Sequence, residues 1–232
     1  MVRSWRKRLA QGQPLAEHEA LALLDAYGIG TARSERAETA DEAAAWSRDI
    51  GFPVALKTAT PGILHKTEVD GVRLGLVDVA AVRAAYADLA ARLGPRVTIA
   101  KMAPPGVELA FGMVADPQWG PLVLIAAGGT MIEALADSRL AVPPVSPSGA
   151  LRLLGRLRCR PLLDPVRGRP GANLASVAEA FARFSRLVAD LGPWIGEIDV
   201  NPVIAGPDGA VAVDALIAPA TQPPKEPQCP RP

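Results

Sequence analysis

The amino-acid sequence predicts an α/β or α+β fold. Segments of helical and strand period alternate over residues 15–102. Strand-like runs then crowd together at Arg96–Met102, Val107–Ala115 and Leu122–Ala126, a spacing that suits antiparallel pairing. The folded chain closes on a hairpin pattern, Ile195–Val213, which follows a long helix with one apolar stripe.

Each element has a local reason. Leu15, Ala20, Leu21, Leu24 and Tyr27 recur at helical spacing, and Gly28 supplies the left-handed stop. Asp41–Asp49 reads as a second short helix, broken by Gly51 and Pro53 ahead of the compact strand Val54–Lys57. A polar loop from Thr58 to Gly71 leads into a strand at Val72–Val77, after which Asp78 caps a helix through Leu93. Gly128 and Gly129 end the crowded strands in a tight turn before Ile132 and Glu133. Ser146 or Ser148 caps a helix over Ala150–Leu157, and Asn173 caps another whose stripe is Leu174, Val177, Ala178, Phe181, Phe184, Val188 and Leu191. The Pro-rich end reads as disordered.

At 232 residues and 49% hydrophobic content, the chain has ample material for one large domain or two small ones. Aromatic residues are only 4%, which argues against a stacking platform for single-stranded nucleic acid. The 25 basic and 24 acidic residues nearly cancel, so the field of a polyanion binder is missing too. Neither a membrane-length apolar run nor the apolar core of a secretory signal is present in the sequence. Cys159 and Cys229 make a disulfide framework or a zinc site an unpromising reading. A cytoplasmic protein without nucleic-acid or membrane partners is expected.

The residues with chemical promise lie late in the chain. Glu197, Asp199 and Asn201 alternate with Ile198 and Val200, so the polar groups share one strand face and the apolar ones pack on the other. A turn centred on Pro207 and Asp208 brings Asp214 opposite Asn201, to within one position. Neighbouring carboxylates repel unless a cation offsets them, and Mg2+ carrying a nucleotide phosphate would do so. The solvated edge of a hairpin is the other reading open at this point.

Lys57 ends an apolar strand, where its ammonium either escapes to solvent or meets an anion such as phosphate. His65 stands beside Lys66 in GILHKTEVDGV. A neutral imidazole is a good nucleophile towards phosphoryl groups, and an adjacent ammonium would stabilise the product; an exposed loop histidine is the alternative. His18 reads only as an exposed residue of the first helix. Glu108 follows the Pro104–Pro105–Gly106 turn and either binds a ribose hydroxyl or faces water. There is no Walker loop and no dinucleotide fingerprint.

Taken in order, LAEHEALALLDAYGI, GFPVALK, ILHKTEVDGV, GVELAFGMVADPQWGP, AAGGTMIEALAD, VRGRP and EIDVNP with the later Asp214 resemble the ATP-grasp domain of the ADP-forming acyl-CoA synthetases. That family includes acetate–CoA ligase and is related to the succinyl-CoA synthetase β subunit. The resemblance implies an ATP-grasp fold whose two subdomains, within residues 15–217, clasp ATP or ADP. Residues 1–14 would be an N-terminal extension and 218–232 a disordered tail.

It further implies Lys57 on the phosphates, Glu108 near the ribose, Met102 against adenine, and Asp199, Asn201 and Asp214 at magnesium positions. His65 would accept a phosphoryl group from a phosphohistidine of a partner subunit and pass it to ADP. The implied reaction is acyl-CoA, ADP and phosphate giving carboxylate, CoA and ATP, with CoA bound by a separate α subunit. The sequence departs from the family at Asp70–Gly71, where paired glycines are usual, so a negative charge is expected near the phosphates. A non-catalytic nucleotide-sensing or scaffolding domain, and a stand-alone carboxylate ligase, are the competing readings.

Overall fold

The computed structural model describes residues 2–63, 66–129, 136–168 and 170–221. His65, the residues Thr130, Ile132 and Glu133 after the tandem glycines, Cys229 and the expected tail from residue 222 onward lie outside them.

The chain forms two antiparallel sheets, each with its own core, which makes it α+β with two subdomains. The smaller subdomain contains β1 (Ser34–Ala37), α3 (Ala40–Ile50), β2 (Val54–Thr58), β3 (Val72–Leu76), α4 (Val79–Leu93) and β4 (Val97–Lys101). Its strand order is β1-β4-β2-β3. Both helices start on side-chain caps: Thr39 Oγ accepts from the Glu42 N–H at 3.2 Å, and Asp78 accepts from the Ala81 N–H at 2.8 Å. Ala43 and Ile50 of α3, with Val82, Tyr86 and Leu89 of α4, pack on Val54, Leu56, Val97 and Ile99 of the sheet. The alternating residues Ala55, Lys57, Thr98 and Ala100 are therefore on the opposite face, and they are buried as well.

The larger subdomain contains α1 (Val2–Leu9), α2 (Glu17–Ala26), β5 (Val107–Asp116), β6 (Gly120–Ala127), β7 (Ser138–Ala141), α5 (Pro147–Leu154), α6 (Leu174–Leu191), β8 (Ile195–Gly206), β9 (Gly209–Ala212) and β10 (Leu216–Pro219). Its sheet runs β10-β8-β5-β6-β7, with β9 paired to β8. Helix α6 lies on this sheet through three phenylalanines: Phe111 meets Phe181 edge-on at 5.2 Å and Phe184 at 5.7 Å between ring centroids. Ser146 caps α5 and Asn173 caps α6, as the sequence predicts, although α5 begins and ends earlier than expected.

The larger subdomain is discontinuous in sequence. Leu9, Ala20, Leu21, Leu23 and Leu24 share its core with residues of β5, β8 and α6, so the smaller subdomain is an insertion between α2 and β5. Main-chain hydrogen bonds tie the two segments: Leu15 N–H to Ile217 O at 2.9 Å, and Ala32 N–H to Ala212 O at 2.9 Å. The expected extension and tail are correspondingly altered. Residues 2–9 are a helix that buries Leu9, with Arg6 over the Trp194 ring at 4.3 Å, and Leu216–Pro219 is a strand paired with β8. No helix among the described residues is long and apolar enough to cross a membrane.

Candidate functional site

The hairpin β8–β9 turns through residues 207–208, with Gly206 paired to Gly209 and Val203 to Ala212. This is the register expected from the Pro207–Asp208 turn. Gly209 takes φ +139°, a value L-residues with side chains rarely adopt. Ile198 and Val200 are buried, leaving Asp199 and Asn201 on the other face. The Val213 N–H donates to Pro202 O at 3.1 Å, and Asp214 follows on the same wall as Asp199 and Asn201.

That wall belongs to a cleft of about 1260 Å³ between the two subdomains. Glu17, His18, Asp199, Asn201 and Asp214 line it from the larger subdomain, and Arg36, Thr58, Lys66 and Thr98 from the smaller. Lys57 enters from the side: it pairs with Thr98 across the sheet, and its ammonium leaves the inner face of β2 towards α2 and the end of the β9 segment. Lys57 Nζ lies 2.8 Å from Glu17 Oε1, 3.3 Å from Asp214 Oδ2 and 2.6 Å from the Val213 carbonyl. Lys66 Nζ lies 3.1 Å from Glu17 Oε2 and 3.1 Å from Asp214 Oδ1.

Two cations and two carboxylates thus interlock across the subdomain boundary. Burial disfavours the charge on Lys57, but Glu17 and Asp214 outweigh it and hold its pKa above the ordinary lysine value. Asp214 mirrors this: burial would raise its pKa, and Lys57 and Lys66 hold it below the usual carboxylate range.

Residues 59–71 carry Lys66. Gly71 is required there, since a Cβ would lie 2.6 Å from Thr58 Cγ2 and 3.0 Å from Lys66 O. Asp70, expected to add a negative charge near the phosphates, is not among the residues of the cleft walls. It sits at φ +51°, and its carboxylate turns to Arg73 with both contacts at 2.9 Å.

Met102 and Glu108 are not among the cleft walls either. Met102 donates its N–H to Pro53 O at 3.2 Å, at the opposite end of β4 from Val97, which lines the cleft. Glu108 pairs with Ile204 in the sheet, and its carboxylate crosses over Gly129, where a Cβ would lie 1.7 Å from Oε2. Gly129, at φ +74°, also donates its N–H to Asn201 Oδ1 at 2.9 Å. The tandem-glycine turn therefore links Glu108 to the strand bearing Asp199.

Two residues correct the sequence reading. His18 is half-buried and lines the cleft; burial, then Arg36, lower its pKa from 6.5. Glu17 was missed. The only signal for it was an acid in the first turn of α2, which ordinary helix-dipole complementarity explains equally well.

Asp199, Asn201 and Asp214 offer hard oxygen donors on one wall, and they fit a Mg2+ ion that takes one or two carboxylates and completes its shell with phosphate oxygens and water. Among the described residues there is no group of three or more His, Cys, Asp or Glu able to hold a metal unaided.

Comparison with known proteins agrees with this architecture. The model of the ATP-grasp domain family matches residues 7–218. The β subunit of acetate–CoA ligase (ADP-forming) I from Pyrococcus furiosus is 35% identical over 217 residues, covering 90% of this chain and 93% of that protein. Acetate–CoA ligase (ADP-forming) I of Archaeoglobus fulgidus is 33% identical, but the match covers 90% of this chain and only 31% of that longer protein. A solved structure of acetyl-coenzyme A synthetase 1 from Ca. Korarchaeum cryptofilum superposes with a TM-score of 0.82 at 34% identity, over 95% of this chain and 100% of that one. It holds coenzyme A and Mg-AMPPCP, with a phosphohistidine segment pointing towards the nucleotide site. The chain belongs to the ATP-grasp family and, within it, to the β subunits of the ADP-forming acetate–CoA ligases.

Proposed function

We propose that this chain is the nucleotide-handling subunit of an ADP-forming acyl-CoA synthetase of the cytoplasm, acting with a separate subunit that binds CoA and the acyl group. The observation that carries the reading is the cleft itself, where Lys66 lies opposite Asp199, Asn201 and Asp214 across two subdomains and Lys57, entering from the side, reaches Asp214. Cations on one side and metal-type oxygens on the other suit a phosphate chain bound with Mg2+. The lengths of the relatives support the partner: a segment that nearly fills the Pyrococcus β subunit is under a third of the longer Archaeoglobus ligase.

In this reading Lys57 and Lys66 bind phosphate oxygens, Asp199, Asn201 and Asp214 hold the metal, and Glu108 and Met102, which lie outside the cleft walls, take the ribose and adenine only where the nucleoside end of the ligand extends beyond that cleft. Mg2+ would neutralise charge on the transferring phosphoryl group. His65 takes a phosphoryl group from the partner's phosphohistidine. A terminal oxygen of ADP then attacks the phosphorus, the P–N bond breaks with its electron pair going to that ring nitrogen, and the imidazole leaves neutral because its other ring nitrogen carries a proton. Closure of the subdomains excludes water, which would otherwise hydrolyse the intermediate.

Titration calorimetry of Mg-ADP and Mg-ATP into the full chain tests the site. Magnesium-dependent binding that is lost in Asp214→Ala and Lys57→Ala is expected; binding that survives both variants overturns it. His65→Ala should keep nucleotide binding and abolish phosphoryl transfer from the phosphorylated partner.

A further inference from the structure

The contacts of Lys57 and Lys66 are unusually complete for groups expected to receive a ligand. Both ammonium groups come from the smaller subdomain and both carboxylates from the larger, and each ammonium touches each carboxylate within 3.3 Å. Glu17 is deeply buried, its side chain 7% exposed, and its Oε2 has no hydrogen-bond partner of good geometry. Its contact with Lys66 is the compensation for that burial. Nothing in helix α2 demands a buried acid here, since Glu19 already closes the N-terminus by accepting from the Ala16 N–H at 2.9 Å.

We propose that Glu17 and Asp214 are built-in substitutes for phosphate: they pair with Lys57 and Lys66 as the structure shows, and a phosphate anion binds by displacing them. The identity of the natural anion as a nucleotide rests on the function proposed above; the lock itself rests on the four side chains.

The two carboxylates differ in what they do when displaced. Asp214 shares its wall with Asp199 and Asn201, so a divalent cation arriving with the phosphates gives it a new partner as it releases the lysines. Glu17 has no such second role and opposes anion binding with or without the metal. Displacement also unfastens the two subdomains at this point, which couples phosphate arrival to a change in how the cleft is held. Glu17 is thus a positioning residue: it acts on the phosphates only through the two lysines.

The test is calorimetric titration of inorganic pyrophosphate, and in parallel ADP, into the full chain as wild type, Glu17→Gln and Asp214→Asn, in EDTA and in Mg2+. In EDTA both variants should bind pyrophosphate about tenfold more tightly than wild type, because each removes one of two charges competing for the lysines. In Mg2+ Glu17→Gln should keep its gain, while Asp214→Asn should lose the increment that the metal gives wild type. Unchanged or weaker pyrophosphate binding in EDTA by the folded variants overturns the lock, as does the lack of pyrophosphate binding in all three proteins. If Glu17→Gln does not fold, Asp214→Asn in EDTA decides alone. Tightened pyrophosphate binding without any Mg-ADP binding keeps the lock and removes the nucleotide reading. Mg-ADP binding without tightening in the variants does the reverse.

Discussion

Two four-charge clusters in this molecule have the same composition by sign and opposite characters. Asp70, Arg73, Asp88 and Arg92 form one on the outside of the smaller subdomain; Glu17, Lys57, Lys66 and Asp214 form the other in the cleft. In the first, Asp70 is 74% exposed and Arg73 reaches both acids within a single subdomain, gripping Asp70 with both terminal nitrogens and Asp88 with one of them. In the second, Lys57 and Glu17 are each 7% exposed and the partners come from different subdomains. Arginine forks make directed, permanent bonds, whereas an ammonium is a compact point charge whose partners can be exchanged. The outer cluster pins the loop that carries Lys66, with Arg92 also donating to the Asp70 carbonyl at 3.0 Å. The inner one is built from groups suited to changing partners.

The sharpest way to break this contrast is to remove one charge from each cluster. Lys57→Met leaves Glu17 and Asp214 to share Lys66 alone and should destabilise the protein by about 3 kcal/mol, because two buried carboxylates then face one cation. The same variant should weaken Mg-nucleotide binding about tenfold to a hundredfold. Urea unfolding and calorimetry read the two effects separately. A milder test is the double variant Glu17→Met, Lys57→Met, which leaves Lys66 with Asp214 as a balanced pair. It should recover about 2 kcal/mol relative to the sum of the single changes, as buried ion pairs replaced by apolar groups commonly do. Strict additivity in urea unfolding would show that the two groups do not interact in solution.

The inner cluster also marks the limit of what the sequence reveals. The β8–β9 register was legible because a two-residue turn at Pro207–Asp208 sets every pair behind it, including the position of Asp214. The helices capped by Asp78 and Asn173 were legible from capping chemistry, whereas α3 was legible from the breakers Gly51 and Pro53 and not from its Thr39 cap. The strands β1, β7 and β10 were not, because four residues such as Ser34–Ala37 carry too short a pattern to show a period of two. Glu17 was hidden for another reason: its partner Lys57 lies 40 residues away across a subdomain boundary, and no local spacing encodes that meeting. The discontinuity of the larger subdomain has the same origin, as α1 and α2 find their core only after β5–β10 have formed a sheet.

The smallest expected effect belongs to Asp70→Gly, and it separates the two clusters by pH. Asp70 holds φ +51°, a conformation glycine takes without steric cost, so the substitution relieves the backbone while it removes an exposed ion pair. Arg73 holds the Asp70 carboxyl below the usual carboxylate range, with Arg92 contributing further. Its folded pKa is therefore depressed, so the pairing contributes fully above the unfolded carboxylate value of about 3.9 and is lost as pH falls through the lower folded value. Near neutrality the two effects of the substitution oppose one another; in acid only the backbone relief remains. The thermal midpoint of Asp70→Gly should consequently rise relative to wild type as pH falls below about 3.9. Nucleotide affinity near pH 7 should change by less than about twofold, because an exposed pair outside the cleft is screened by salt. A gap in midpoint that does not depend on pH would show that the outer pair is not formed in solution. A large loss of nucleotide affinity would show that the outer cluster, and not Glu17 with Asp214, governs how Lys66 meets its ligand.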